Sequence, residues 1–261
     1  MKSIFKDSFN EFIIVAKDIK LAAFTLIAVV INLVLQIYQG SNKELIYIFL
    51  LPMLIVGSLL NVYQYITMPK LITTKEKNMV KFFDMKNISY GASLLKLIKS
   101  VLILILVSIG VVASITIIAV ILGIIAEKIF SFSEVMAIII ASILGITAIV
   151  FLIIAIVRLY LFVPYVILVD VDKPINYCWE LAKGKFWKIL LIILFSTIFP
   201  LPSLLLNMAL KSSPLMLFIM CVPLNFIVSN IVILVSINSL YYFMIKNPLR
   251  DIVETSNIEA I

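Results

Sequence analysis

Asp170-Val171-Asp172, followed at once by Lys173-Pro174, is where paired carboxylates invite a chemical reading. Two acidic side chains could share a divalent cation. Such ions take about six or more oxygen ligands, however, and no further ligand residues accompany this pair. It is read as a polar corner between two helices. The chain has no histidine, which removes imidazole bases, His-held metals and Ser-His-Asp arrangements. No Gly-rich loop closes on Lys-Ser or Lys-Thr to cradle a phosphate. Cys178 and Cys221 are the only cysteines; two separated thiols make no metal set, and both are read as small hydrophobes. No catalytic residue, metal or cofactor is predicted, and the chain is expected not to be an enzyme.

What remains is polar chemistry set inside apolar sequence. Ser58, Asn61 and Gln64 interrupt one hydrophobic run. Asn225, Ser229 and Ser236 fall near one stripe of another, with Asn230 and Asn238 close by, and Asn32 and Gln36 interrupt a third. An amide surrounded by lipid needs a hydrogen-bond partner. Such groups either pair between helices or line a polar pathway or ligand cavity. Asn61, Gln64, Arg158, Asn225, Ser229 and Asn230 are the candidate contacts. Arg158 follows a largely apolar, uncharged run of 23 residues, about 35 Å of helix. That places it at a membrane boundary, as an anchor paired with Asp170 or Asp172 or as a contact for a substrate headgroup. No Asp, Glu or Lys falls mid-span, which argues against a proton-coupled pump. Ala137, Ala141 and Gly145 recur at intervals of four, as do Gly110 with Ser114 and Ala119 with Gly123. Small residues so spaced let helix backbones approach closely, within a hairpin or between two copies of the chain.

The elements that carry these residues follow from composition. Of 261 residues, 64% are hydrophobic and 13% charged. Soluble domains are about 45–50% apolar and about 25% charged, so lipid is the expected solvent. Runs near the length of a span, roughly 20 apolar residues, cover about 21–38, 45–68, 101–126, 135–157, 189–210 and 214–244. No cleavable signal peptide precedes the first. All but three of the 21 Lys and Arg residues sit in the N-terminal segment, the C-terminal tail or the two long links, 69–100 and 158–188. Only Lys43, Lys128 and Lys211 occupy the short links. Basic residues mark the cytoplasmic side, which places both ends and both long links there. The net charge of +7 then faces anionic lipid rather than nucleic acid.

Each pair of spans follows an amphipathic lead-in: Phe5, Phe9, Phe12, Ile13 and Ala16 in the first, about 78–100 in the second, and Ile175, Trp179 and Ala182 in the third. Such helices lie at the headgroup boundary. The expected fold is all-α, a polytopic membrane bundle of about six helices in three hairpins. Residues 1–261 form a single transmembrane domain with units at 1–69, 70–157 and 158–246 and a short cytoplasmic tail at 247–261.

The stretch Arg158-Leu159-Tyr160-Leu161-Phe162-Val163-Pro164-Tyr165, running to Asp170, and then Cys178-Trp179-Glu180-Leu181-Ala182-Lys183-Gly184-Lys185-Phe186-Trp187-Lys188 resembles a loop of bacterial six-span proteins. These include the membrane domain attached to some glycerophosphoryl diester phosphodiesterases and its stand-alone relatives. The match covers about 31 residues and has no phosphodiesterase domain beside it. The resemblance implies a membrane module of the bacterial cytoplasmic membrane and no defined reaction.

The sequence therefore leads to a non-catalytic envelope accessory or transport-related component that binds a lipid or a hydrophobic or peptide ligand. The alternative is the permease subunit of a small ABC exporter, of the kind that protects a cell from antimicrobial peptides, working with a separate ATP-binding subunit. Expected partners are membrane lipids and either a second copy or that ATPase. The third reading, a membrane-embedded lipid enzyme, is weakest for lack of histidines and mid-span carboxylates.

Overall fold

The computed structural model describes the backbone of residues 2–41, 46–74, 77–85, 88–130, 134–169, 174–210 and 213–245. Asp170, Asp172, Lys173, Lys211 and the tail from 246 lie outside these described residues. Every regular element among the described residues is helical: α1 Lys2–Ala16, α2 Ile19–Ser41, α3 Ile46–Leu71, α4 Met79–Phe82, α5 Tyr90–Phe130, α6 Glu134–Leu159, α7 Phe162–Leu168, α8 Pro174–Leu181, α9 Phe186–Ile198, α10 Leu201–Ala209 and α11 Pro214–Ile245. Gly145–Leu168, Phe186–Ala209 and Phe218–Ile245 are each long and apolar enough to cross a membrane.

Helix α11 is the hub. Its 32 residues extend about 48 Å, well beyond a hydrocarbon layer of about 30 Å. It packs against α1, α2, α3, α7, α9 and α10. Around its C-terminal half lies the main apolar core, with Ile66, Met68, Leu181, Ile189, Ile192, Leu234 and Ile237 almost completely buried. A second, small cluster of Val29, Leu33 and Cys221 lies toward its N-terminal end.

Three features differ from the expectations of the sequence. The second lead-in and the third span are one continuous 41-residue helix, α5. Nothing between Leu94 and Val101 stops a helix: there is neither Gly nor Pro, and leucine and lysine are good helix formers. The predicted fifth span is instead two helices, because Phe199 and Pro200 form a turn and α10 starts with prolines at its first positions. Proline fits there at no cost, whereas in a helix interior it removes a hydrogen bond and crowds the preceding turn. The first lead-in turns inward along Ile4, Ser8, Glu11 and Val15, all buried, and runs against α11. Phe5 and Phe12 are partly buried at the edge of that contact, while Phe9, Ile13 and Ile14 are exposed.

Helix α8 ends through Gly184, whose φ of 71° is the left-handed conformation that glycine adopts without steric cost. The turn carries Lys185 back to α11, where its Nζ donates to Phe243 O at 3.4 Å. The last carbonyls of a helix lack partners within it, and a cation is favourable there. Burial, together with the neighbouring Lys188 charge, lowers the Lys185 pKa from the ordinary lysine value.

Candidate functional site

The polar side chains of α11 meet the rest of the bundle in three layers. The first lies about half-way along the helix. Asn230 Nδ2 donates to Phe226 O at 2.8 Å, one turn back on the same helix. That bond fixes the amide and turns Oδ1 toward α3. There Gln64 Nε2 donates to Asn230 Oδ1 at 3.4 Å and to Thr25 Oγ1 of α2 at 3.1 Å. Thr25, Gln64 and Asn230 are fully buried. Both amide hydrogens of Gln64 are thus committed, and its Oε1 is buried without a hydrogen-bond partner. Turning the amide over would set its oxygen against Asn230 Oδ1. The unpaired acceptor follows from the triad itself and costs about 1–3 kcal/mol.

The second layer is made of hydroxyls. Tyr160, just after α6, lies 2.9 Å from Ser196 Oγ of α9 and 3.2 Å from Ser236 Oγ of α11. Ser236 also donates to Val232 O at 3.1 Å.

The third layer carries charge. Asn238 Nδ2 donates to Glu11 Oε2 at 2.7 Å and to Ser8 Oγ at 2.9 Å. Lys77, in the link before α4, reaches Glu11 Oε1 at 2.5 Å and also donates to Asn238 Oδ1. Its Nζ lies 5.6 Å from the centre of the Tyr241 ring. One cation therefore joins α1, the first long link and the last helix. The side chains of Lys77 and Glu11 are 19% and 11% exposed, so water screens the pair little, and each charge depends on the other.

Of the residues singled out from the sequence, Gln64 and Asn230 come together. Asn61 is exposed, and Asn225 and Ser229 are half-buried on α11. Arg158 lies apart, with its guanidinium 4.5 Å from the centre of the Trp179 ring on α8, a cation–π contact. Gly145 is exposed, and a Cβ built there would meet nothing within 4 Å. The side chains of Ala137 and Ala141 lie outside the described residues. Thr25, Ser8, Glu11, Lys77 and Asn238 were not among the candidates. The signal for α1 is present in the chain, since positions 4, 8, 11 and 15 share one helix face.

No group of three or more metal-ligating residues occurs among the described residues. Cys178 is buried in α8, which pushes its thiol up to about 12. At pH 8 it should hold roughly a thousandth of the thiolate of an ordinary exposed cysteine, because the thiolate is the reactive form. Maleimide labelling of the folded protein should leave Cys178 intact over hours, and unfolding should release its reactivity; rapid labelling when folded would contradict its burial.

The three layers give hydrogen-bond donors and acceptors in a column along α11. No family model matches the chain, and neither a curated protein nor a solved structure does.

Proposed function

We propose that the chain is a six-span protein of the bacterial cytoplasmic membrane, with both ends in the cytoplasm, that acts without catalysis as an accessory or transport-related component binding a lipid or a hydrophobic or peptide ligand. The observation that carries this reading is the column on α11: polar groups gathered inside a bundle whose outer faces are apolar. An amide layer held in an apolar bundle can recognise a polar headgroup or a peptide group while lipid surrounds the rest. Six spans fit the lengths of α2, α3, α5, α6, the α9–α10 pair and α11. Kinship with the membrane domains of glycerophosphoryl diester phosphodiesterases belongs to the same proposal. Its support is the Arg158–Lys188 stretch, which Arg158 and Trp179 tie together.

Topology is testable by acylating lysines with a membrane-impermeant reagent in sealed vesicles. Lys96 and Lys99 should react in inside-out vesicles and Lys43 in right-side-out ones; the reverse pattern rejects the orientation. For function, wild type and Asn230→Leu should be purified in mild detergent and their bound molecules compared by mass spectrometry. A lipid or peptide carried by the wild type should fall at least about fivefold in the variant, the loss expected when one buried hydrogen bond worth about 1 kcal/mol is removed. Equal carry-over overturns the role of the amide layer. Recovery of an ATP-binding subunit would move the reading to the exporter permease.

A further inference from the structure

The bundle is divided across its length, and two prolines, one between α9 and α10 and one inside the continuous α11, lie beside the division. On one side of the Thr25–Gln64–Asn230 layer lies the main core, reached through Ile66, Ile231 and Leu234. On the other lies the small cluster of Val29, Leu33 and Cys221, with Leu206 and Leu210 of α10 and Phe218 and Val222 of α11 packed on it. Pro200 separates α9 from α10. Pro223 sits inside α11 and withholds the N–H that the carbonyl of Ile219 would otherwise accept. Helix α1 touches both helices near these prolines: its Phe9 ring lies 5.9 Å from Phe199 and its Phe12 ring 6.3 Å from Phe226. In these outer segments Leu204, Leu205, Met208, Leu215, Met216 and Ile219 are exposed, and the described packing that holds the segments is chiefly the small cluster.

We propose that α10 and the outer part of α11 form a hinged pair that swings at Pro200 and Pro223, letting water reach the unpaired Oε1 of Gln64. In the closed bundle Gln64 Oε1 is buried without a partner; in the open one water supplies the missing donor. Closing therefore strands an acceptor and opening satisfies it, which favours the open form relative to a wholly apolar joint. Proline kinks supply the bending points at which a helix yields. The small cluster is what must separate, and Cys221, fully buried within it, becomes accessible when it does. The open form provides the route by which a ligand of the class proposed above reaches the amide layer, so the inference rests on the membrane reading. The two fail separately: flotation with vesicles tests membrane embedding and is indifferent to the hinge.

The experiment uses the native cysteines of the full chain in phospholipid vesicles. N-ethylmaleimide is added at pH 8 and labelling of Cys178 and Cys221 is followed by peptide mass spectrometry. Cys178 is the internal control, buried in α8 away from the hinge. Cys221 should label at least about tenfold faster than Cys178, as expected if the open form is a minor state of roughly 0.1–10%. Gln64→Met removes the stranded acceptor at similar length and should slow Cys221 at least about fivefold. Pro223→Ala restores the missing N–H and should slow it likewise, which keeps the test intact if the first variant folds poorly. A Cys221 rate no greater than that of Cys178, or a rate unchanged in the folded variants, overturns the hinge.

Discussion

Lys77→Met should lower the stability of the bundle by about 3 kcal/mol, because it leaves a mostly buried carboxylate with no cation. In the native protein Glu11 accepts from Lys77 through one oxygen and from Asn238 through the other. Without Lys77 the Asn238 amide remains the described partner, and it brings no charge. Asn238 Oδ1 loses its donor at the same time. Thermal unfolding in detergent should show an apparent midpoint lower by roughly 6–12 °C, on the scale of 2–4 °C per kcal/mol for chains of this size. The double variant Glu11→Gln, Lys77→Met should regain at least half the loss, since a neutral amide tolerates burial with hydrogen bonds alone. The size of that recovery measures the coupling. If the two changes simply add, the pair carries no interaction.

The second large effect is expected at Leu181, fully buried at the end of α8. Leu181→Ala should cost about 3 kcal/mol, the usual range for a core leucine being about 2–5 kcal/mol. Ile192 of α9 is equally buried, yet Ile192→Ala should cost about half as much. The reason is the solvent each side chain meets on unfolding. On the proposed topology Leu181 lies in a cytoplasmic link, so unfolding exposes it to water and the full transfer term applies. Ile192 lies within a span, where lipid is as apolar as the protein interior and only packing is lost. Paired thermal melts of the two variants should place Leu181→Ala lower. The opposite order would put α8, rather than α9, in lipid.

These residues also show what one sequence can disclose. Apolar length is a local property, so α11 was legible almost to the residue: 214–244 expected, Pro214–Ile245 observed. The prolines at 200 and 202 stand inside the expected run 189–210. Whether they bend a helix or end it depends on the turn they start, and here they end it. The junction between the second lead-in and α5 was invisible because no breaker marks it; charge changes there while helical conformation does not. Gln64 and Asn230 could be named as amides in need of partners, but not as partners of each other. Glu11 and Lys77 were less accessible still. Each looked like one more charge in a basic, cytoplasmic stretch, and 66 residues separate them. Only packing of α1 along α11 turns two solvated charges into a buried pair, and that packing is set by the Ile4–Val15 face rather than by the more conspicuous phenylalanines.

The clasp between α1 and α11 has a consequence for biogenesis. Glu11 and Asn238 are 227 residues apart in the chain. At a synthesis rate of about 5–20 residues per second, roughly 10–45 s pass between the making of one and the making of the other. Throughout that interval α1 has no last helix to dock on, and on the proposed topology its Ser8 and Glu11 must remain hydrated at the cytoplasmic face. Early hairpins can enter the bilayer as they emerge, but the bundle closes only when translation is nearly finished. A ribosome stalled before Asn238 would leave a chain with its first helix still free, and on the proposed topology a protease acting from the cytoplasm would find it there.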